Sequence, residues 1–153
     1  LYKDGFIKLA KDNYDKNSLS IDSQITNTSQ LKKTDKPRCI MFDKSFHNYD
    51  IFIEKIKIIM KDFSEDIKKS FPSYYKSYYA LEYQLCGPDI IFDNNLNPYL
   101  IEINSNFPAY IMNNTQEIID MKKNIAKVIS NNLFKPAINR ESINLEDYGF
   151  IKL

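Results

Sequence analysis

Two runs of strand-forming residues separated by a cluster of turn formers limit the fold of this chain more than any other feature. Residues 80–92 (ALEYQLCGPDIIF) and 99–103 (YLIEI) flank Asp93-Asn94-Asn95-Leu96-Asn97-Pro98. β-Branched and aromatic residues favour extended backbone, while Asp, Asn and Pro favour reversal, so the segment predicts an antiparallel hairpin. Successive side chains of a strand point to opposite faces, which puts Glu102 and Asn104 on the same face. With the turn centred between Asn95 and Leu96, Asp93 pairs with Pro98 and Asp89 falls opposite Glu102. Ile90, Phe92, Ile101 and Ile103, of the other parity, form the expected buried face.

A carboxylate directly opposite a carboxylate destabilises a sheet. The spacing leaves two readings open. In one, Asp89, Glu102 and Asn104 all point into water, which screens the repulsion. In the other, a divalent cation lies between the two acids and the carbonyl oxygen of Asn104 completes an all-oxygen set. Such a set suits Mg2+ or Mn2+, completed by water and phosphate oxygens, and does not suit zinc.

Around the hairpin, Phe52, Ile56, Ile59, Met60, Phe63 and Ile67 recur at helical spacing, predicting a long amphipathic helix over residues 49–70 that Pro72 ends. A second helix is expected over residues 115–133, with Ile118, Met121, Ile125, Val128 and Ile129 as its apolar stripe. Asn114 and Glu117 resemble a capping box at its start. Residues 2–10 read as a short hairpin arm, 11–23 as a surface loop, 24–29 (QITNTS) as a short strand and 30–46 as irregular. The tyrosine-rich stretch 72–79 reads as packing and helix termination, 105–113 as a loop, and the tail from Lys135 carries little pattern. Its last five residues, GFIKL, repeat residues 5–9, too little for a repeat architecture. Together these elements predict one α+β domain over residues 1–153, an antiparallel sheet packed against the two helices with the acidic hairpin at a cleft.

The balance of 21 Lys and Arg against 20 Asp and Glu gives a net charge of +1, so no bulk field draws nucleic acid or anionic lipid. A single histidine, His47, and two separated cysteines, Cys39 and Cys86, offer no zinc ligand set and fit a reducing compartment. No apolar stretch is long enough to span a membrane, and the start LYKDGFIKLA lacks the regions of a signal peptide. A leucine at position 1 suggests a piece of a longer chain.

The stretch YQLCGPDIIFDNNLNPYLIEINSNFPA resembles the metal-binding hairpin of the tubulin tyrosine ligase family, a branch of the ATP-grasp enzymes. Gly87, Asp89, Asp93, Pro98, Leu100, Glu102 and Asn104 fall in register with that family's pattern. Upstream, LYKDGFIKLA resembles the strand bearing the family's phosphate-facing arginine, and QITNTSQ resembles its His-Leu-Thr-Asn segment. The resemblance implies a C-terminal ATP-grasp subdomain in which Asp89, Glu102 and Asn104 hold the Mg2+ ions on the ATP phosphates. Asn27 would lie beside the terminal phosphate, and Lys8 would take the place of the arginine. Three positions depart from the family: lysine at Lys8, which lacks the planar fork of arginine, Gln24 for histidine, and Pro88 for an aromatic. The family's phosphate-reaching lysines, adenine-gripping segment and Asp-x-Arg strand have no counterpart in the chain.

The function implied is ATP-dependent joining of an amino acid to a carboxylate of a protein or peptide, with tubulin the substrate by analogy and a cytoplasmic, cytoskeleton-associated location. Two alternatives are a degenerate, non-catalytic remnant that binds a protein partner and an ATP-grasp ligase for a small molecule.

Overall fold

The periodic apolar run of residues 49–70 forms one uninterrupted helix with the bounds its spacing predicts. The computed structural model describes residues 1–26, 38–71, 85–105, 115–139, 141 and 144–153. In chain order its elements are β1 (Gly5–Leu9), α1 (Ile21–Gln24), β2 (Arg38–Phe42), α2 (Tyr49–Ser70), β3 (Gly87–Phe92), β4 (Pro98–Asn104), α3 (Gln116–Ile129) and α4 (Lys135–Asn139). The architecture is α+β. Among the described residues the strands form two separate antiparallel ribbons, β1 with β2 and β3 with β4, and not the single sheet expected.

The β1–β2 ribbon lies between helices. Ile7 and Phe42 face α2, where Phe42, Tyr49 and Ile53 form the buried core, flanked by Phe46, Phe52 and Ile56. Ring centroids of Phe42 lie 5.0 Å from Tyr49 and 5.5 Å from Phe46. Phe6, of opposite parity to Ile7, faces α3, where the Lys122 Nζ lies 5.5 Å from its ring centroid. Helix α2 also reaches the second ribbon, for Phe52 meets Phe92 edge to face with centroids 4.8 Å apart. Burying these rings supplies both apolar area and favourable ring geometry.

Local chemistry sets the helix ends. Phe71, the residue before Pro72, leaves the helical region while its N–H still donates to the Ile67 carbonyl. The cap of α3 is Thr115, one residue later than the Asn114 expected; its Oγ1 accepts the Ile118 N–H at 3.5 Å. The helical path past Ile129 widens into a π-turn at Ser130–Phe134 before α4. Pro136 has no N–H for the regular ladder and its ring crowds the preceding turn, which accounts for the widening.

Several expectations are corrected. Residues 2–10 make no hairpin of their own: β1 pairs with β2, inside the stretch expected to be irregular, where a short apolar run lies among polar neighbours. Residues 21–24 form a short helix, with Ile25 extended beyond it, so the strand expected to begin at Gln24 does not begin there. The two GFIKL copies differ. The first is β1; in the second, Gly149 adopts φ 88°, where an added Cβ would come within 3.1 Å of Lys3. A single bridge then joins Phe150 to Tyr2. The readings of residues 72–79, 106–113 and 27–29, and of 80–84 in the first hairpin strand, lie outside the described residues.

Candidate functional site

The hairpin is built from its loop outward. Asp93 Oδ1 accepts the backbone N–H groups of Asn95 at 2.9 Å and Asn97 at 2.8 Å, and its Oδ2 accepts Asn97 Nδ2 at 2.9 Å. These bonds, those to Asn97 foremost, hold the Asp93 carboxyl below the usual carboxylate range. Leu96 takes φ 60°, in the left-handed region, so that the loop can close. Asp93 is therefore committed to the turn.

Next to the turn the pairing is offset by one residue from the sequence count, which set Asp93 opposite Pro98. Phe92 pairs with Pro98, Ile91 with Tyr99 and Ile90 with Leu100; the ladder then shifts, and Asp89 pairs with Glu102. Ile101 is the extra residue, a β-bulge. Parity is reset there, so Leu100 takes the half-buried position opposite Ile90 while Ile101 is 65% exposed, contrary to its expected place on the buried face. Beyond the bulge Pro88 pairs with Ile103 and Gly87 with Asn104. A two-stranded ribbon leaves each strand a free edge, which accommodates the missing N–H of Pro88.

The outcome is a half-buried Asp89 opposite an exposed Glu102, with Asn104 one step further along the same face. Asn104 Nδ2 donates to Glu102 Oε1 at 3.3 Å, which turns its amide nitrogen toward the acid. Among the described residues no cation pairs with either carboxylate. The donors are two carboxylates and an amide, all hard oxygen chemistry; among the described residues no group of three or more His, Cys, Asp or Glu is placed to hold a metal ion. In donor chemistry these three residues suit a hard cation such as Mg2+ or Mn2+ better than a metal held by thiolate or imidazole.

The other predicted residues are distributed differently. Lys8 lies on the β1–β2 ribbon opposite Cys39, and no hydrogen bond or ion pair joins it to the hairpin acids. Asn27 lies outside the described residues. Gln24 Nε2 donates to the carbonyls of Asp15 at 2.6 Å and Ser18 at 3.0 Å, so it ties down the loop before α1. Sequence reasoning missed Lys122, which is buried beside Cys39 and Lys8. The signal was present, for Lys122 sits four residues after Ile118 and three before Ile125, on the apolar line of α3.

An antiparallel hairpin that opposes two acids across a bulge, with an amide beside them, defines a protein with a candidate site for a hard divalent cation. The chain matches the tubulin-tyrosine ligase family over residues 1–142, and it belongs to that family. No curated protein and no solved structure gives a significant match. No described helix is long and apolar enough to cross a membrane.

Proposed function

We propose that this chain carries the metal side of the active site of an ATP-dependent ligase that joins an amino acid to a carboxylate of a protein or peptide. The observation that carries this reading is the opposed pair Asp89 and Glu102, with Asn104 bonded to Glu102. Like charges so placed are stabilised by a cation between them. Asp89, Glu102 and Asn104 would hold Mg2+, which when bound neutralises charge on the phosphates of ATP and positions them for transfer. Lys8 would place a positive charge near the anionic reactants, as a point charge without the two-pronged grip of arginine. Asn27 would lie beside the terminal phosphate. In the overall reaction a carboxylate takes the terminal phosphoryl group of ATP, and the amine of the incoming amino acid displaces phosphate to leave an amide. Tubulin is the proposed substrate by family analogy, with a cytoplasmic, cytoskeleton-associated location. The chain is further proposed to be the C-terminal portion of a larger ATP-grasp domain, which supplies the nucleotide lid.

Mg-ATP should raise the melting temperature of the intact polypeptide containing this chain, and Asp89→Asn with Glu102→Gln should abolish the rise. No rise in the intact polypeptide would refute the ligase reading. One observation favours the second reading, a remnant that binds a protein partner. Gln24, which replaces the histidine of the family, bonds to its own loop. Release of ADP on incubation with tubulin, or with free amino acids alone, distinguishes a protein ligase from a small-molecule ligase, and neither release supports the remnant.

A further inference from the structure

Residues 149–151 lie antiparallel to residues 1–3, outside both ribbons. The Leu1 amine donates to the Ile151 carbonyl at 2.9 Å, the Ile151 N–H to the Leu1 carbonyl at 2.6 Å and the Lys3 N–H to the Gly149 carbonyl at 2.9 Å. Tyr2 and Phe150 meet edge to face with centroids 5.1 Å apart, and Ile151, like Ile7, packs on the Phe42, Tyr49 and Ile53 core. The segment enters from a turn closed by its own residues. Asn144 Oδ1 accepts the Glu146 N–H at 3.2 Å and its Nδ2 donates to Asp147 Oδ2 at 3.1 Å, while the Gly149 and Phe150 N–H groups donate to the Glu146 and Leu145 carbonyls at 3.2 Å. The strand it covers is held independently, by α2 and α3: Tyr49 Oη donates to the Lys3 carbonyl at 2.6 Å, and Asn124 Nδ2 donates to Tyr2 Oη at 3.2 Å.

Each side of this contact therefore keeps its shape without the other. Among the described residues they are joined by three backbone bonds, a ring pair and one apolar side chain. Water replaces such bonds at small net cost, so the contact opens more readily than the packed helices. Opening leaves the Lys3 N–H and the Leu1 carbonyl unpaired on a strand edge that stays fixed, and such an edge accepts an extended segment of matching shape. The chain itself shows what fits: a glycine at φ 88°, followed by an aromatic ring and a β-branched residue. We propose that residues 149–151 are a detachable strap that opens as a unit while the core stays folded, and that the same segment of a second copy of the chain can take its place. The strap lies past residue 142, where the family match ends, and its opening does not rest on the ligase reading.

The test is hydrogen exchange of the full chain, corrected for intrinsic rates. The Lys3 and Ile151 amides should show one common protection, at least about tenfold weaker than that of the Ile125 amide within α3. Phe150→Ala should weaken both alike, by at least about twofold for the lost ring pair, and leave Ile125 unchanged. An excess of a peptide of residues 145–153 should restore the protection of Lys3 in that variant, and the same peptide bearing Phe150→Ala should not. Protection of Lys3 and Ile151 equal to that of Ile125 would show that the segment leaves only on global unfolding, and unequal protection of the two that it does not move as a unit; either result overturns the strap. No protection from the parent peptide overturns the exchange between copies.

Discussion

Asp89 and Glu102 face each other because Ile101 interrupts the ladder between Leu100 and Glu102. The bulge leaves Ile101 and Glu102 both exposed on β4, while Asp89 opposite is half buried. Without a cation the opposition is a net cost. Asp89→Asn is expected to stabilise the metal-free protein by about 0.2–1 kcal/mol, the range for cross-strand charge pairs. Urea unfolding in the presence of a chelator measures this, and a destabilised variant would mean that the acid makes a structural bond instead.

Phe52 and Phe92 connect α2 to the hairpin through an edge-to-face contact of 4.8 Å. A double-mutant cycle with Phe52→Leu and Phe92→Leu should give a coupling of about 0.5–1.5 kcal/mol. Additive effects would show that the hairpin and α2 are energetically independent.

Ile118 has no exposed surface, whereas Thr115 caps the same helix through a long bond of 3.5 Å. Truncating Ile118 to alanine should cost about 2–5 kcal/mol, combining lost transfer energy with a cavity. Thr115→Ala should cost at most about 1 kcal/mol. Chemical unfolding of the two variants checks the order, and equal costs would contradict it.

The acid limb of stability should contain a contribution from Asp93. Its carboxyl lies below the ordinary value of 3.8, chiefly through the Asn97 bonds, so the folded state favours the charged form. The contribution is complete above the unfolded value and is lost as pH falls through the lower folded one. Asp93→Asn should therefore flatten the unfolding profile below about pH 4. An unchanged acid profile would remove Asp93 from the account.

Lys122 acts in the opposite sense. Burial, followed by the neighbouring charge of Lys8, lowers its pKa from 10.5, and Cys39 opposes the shift. The folded state then disfavours the protonated amine, so the cost is present at neutral pH and fades as pH rises toward 10.5. The stability advantage of Lys122→Met should shrink over that range. A constant advantage from pH 7 to 10.5 would mean that the amine holds its proton equally well folded and unfolded, and would remove the burial cost from the account.

Much of this was readable from residue order. The bounds of α2 follow from its apolar period, and the opposition of Asp89 to Glu102 follows from counting along the hairpin. The second succeeded through compensation: the count began one residue out of step at Pro98, and the bulge at Ile101 restored it. Local propensity does not specify a bulge, which is why Ile101 was assigned to the wrong face. The β1–β2 pairing is illegible because each strand is short and its partner distant, so packing against α2 and α3, and not local propensity, selects it. Lys122 was passed over because a lysine on an apolar line is ordinarily read as a boundary residue whose head reaches water.

Helix α2 touches the aromatic core above β1–β2 near its start and, through Phe52, the rim of the acidic hairpin. Phe52 belongs to both contacts, so a single ring is the shared hinge-pin of the two ribbons, and trimming it would loosen the seating of each on the helix at once.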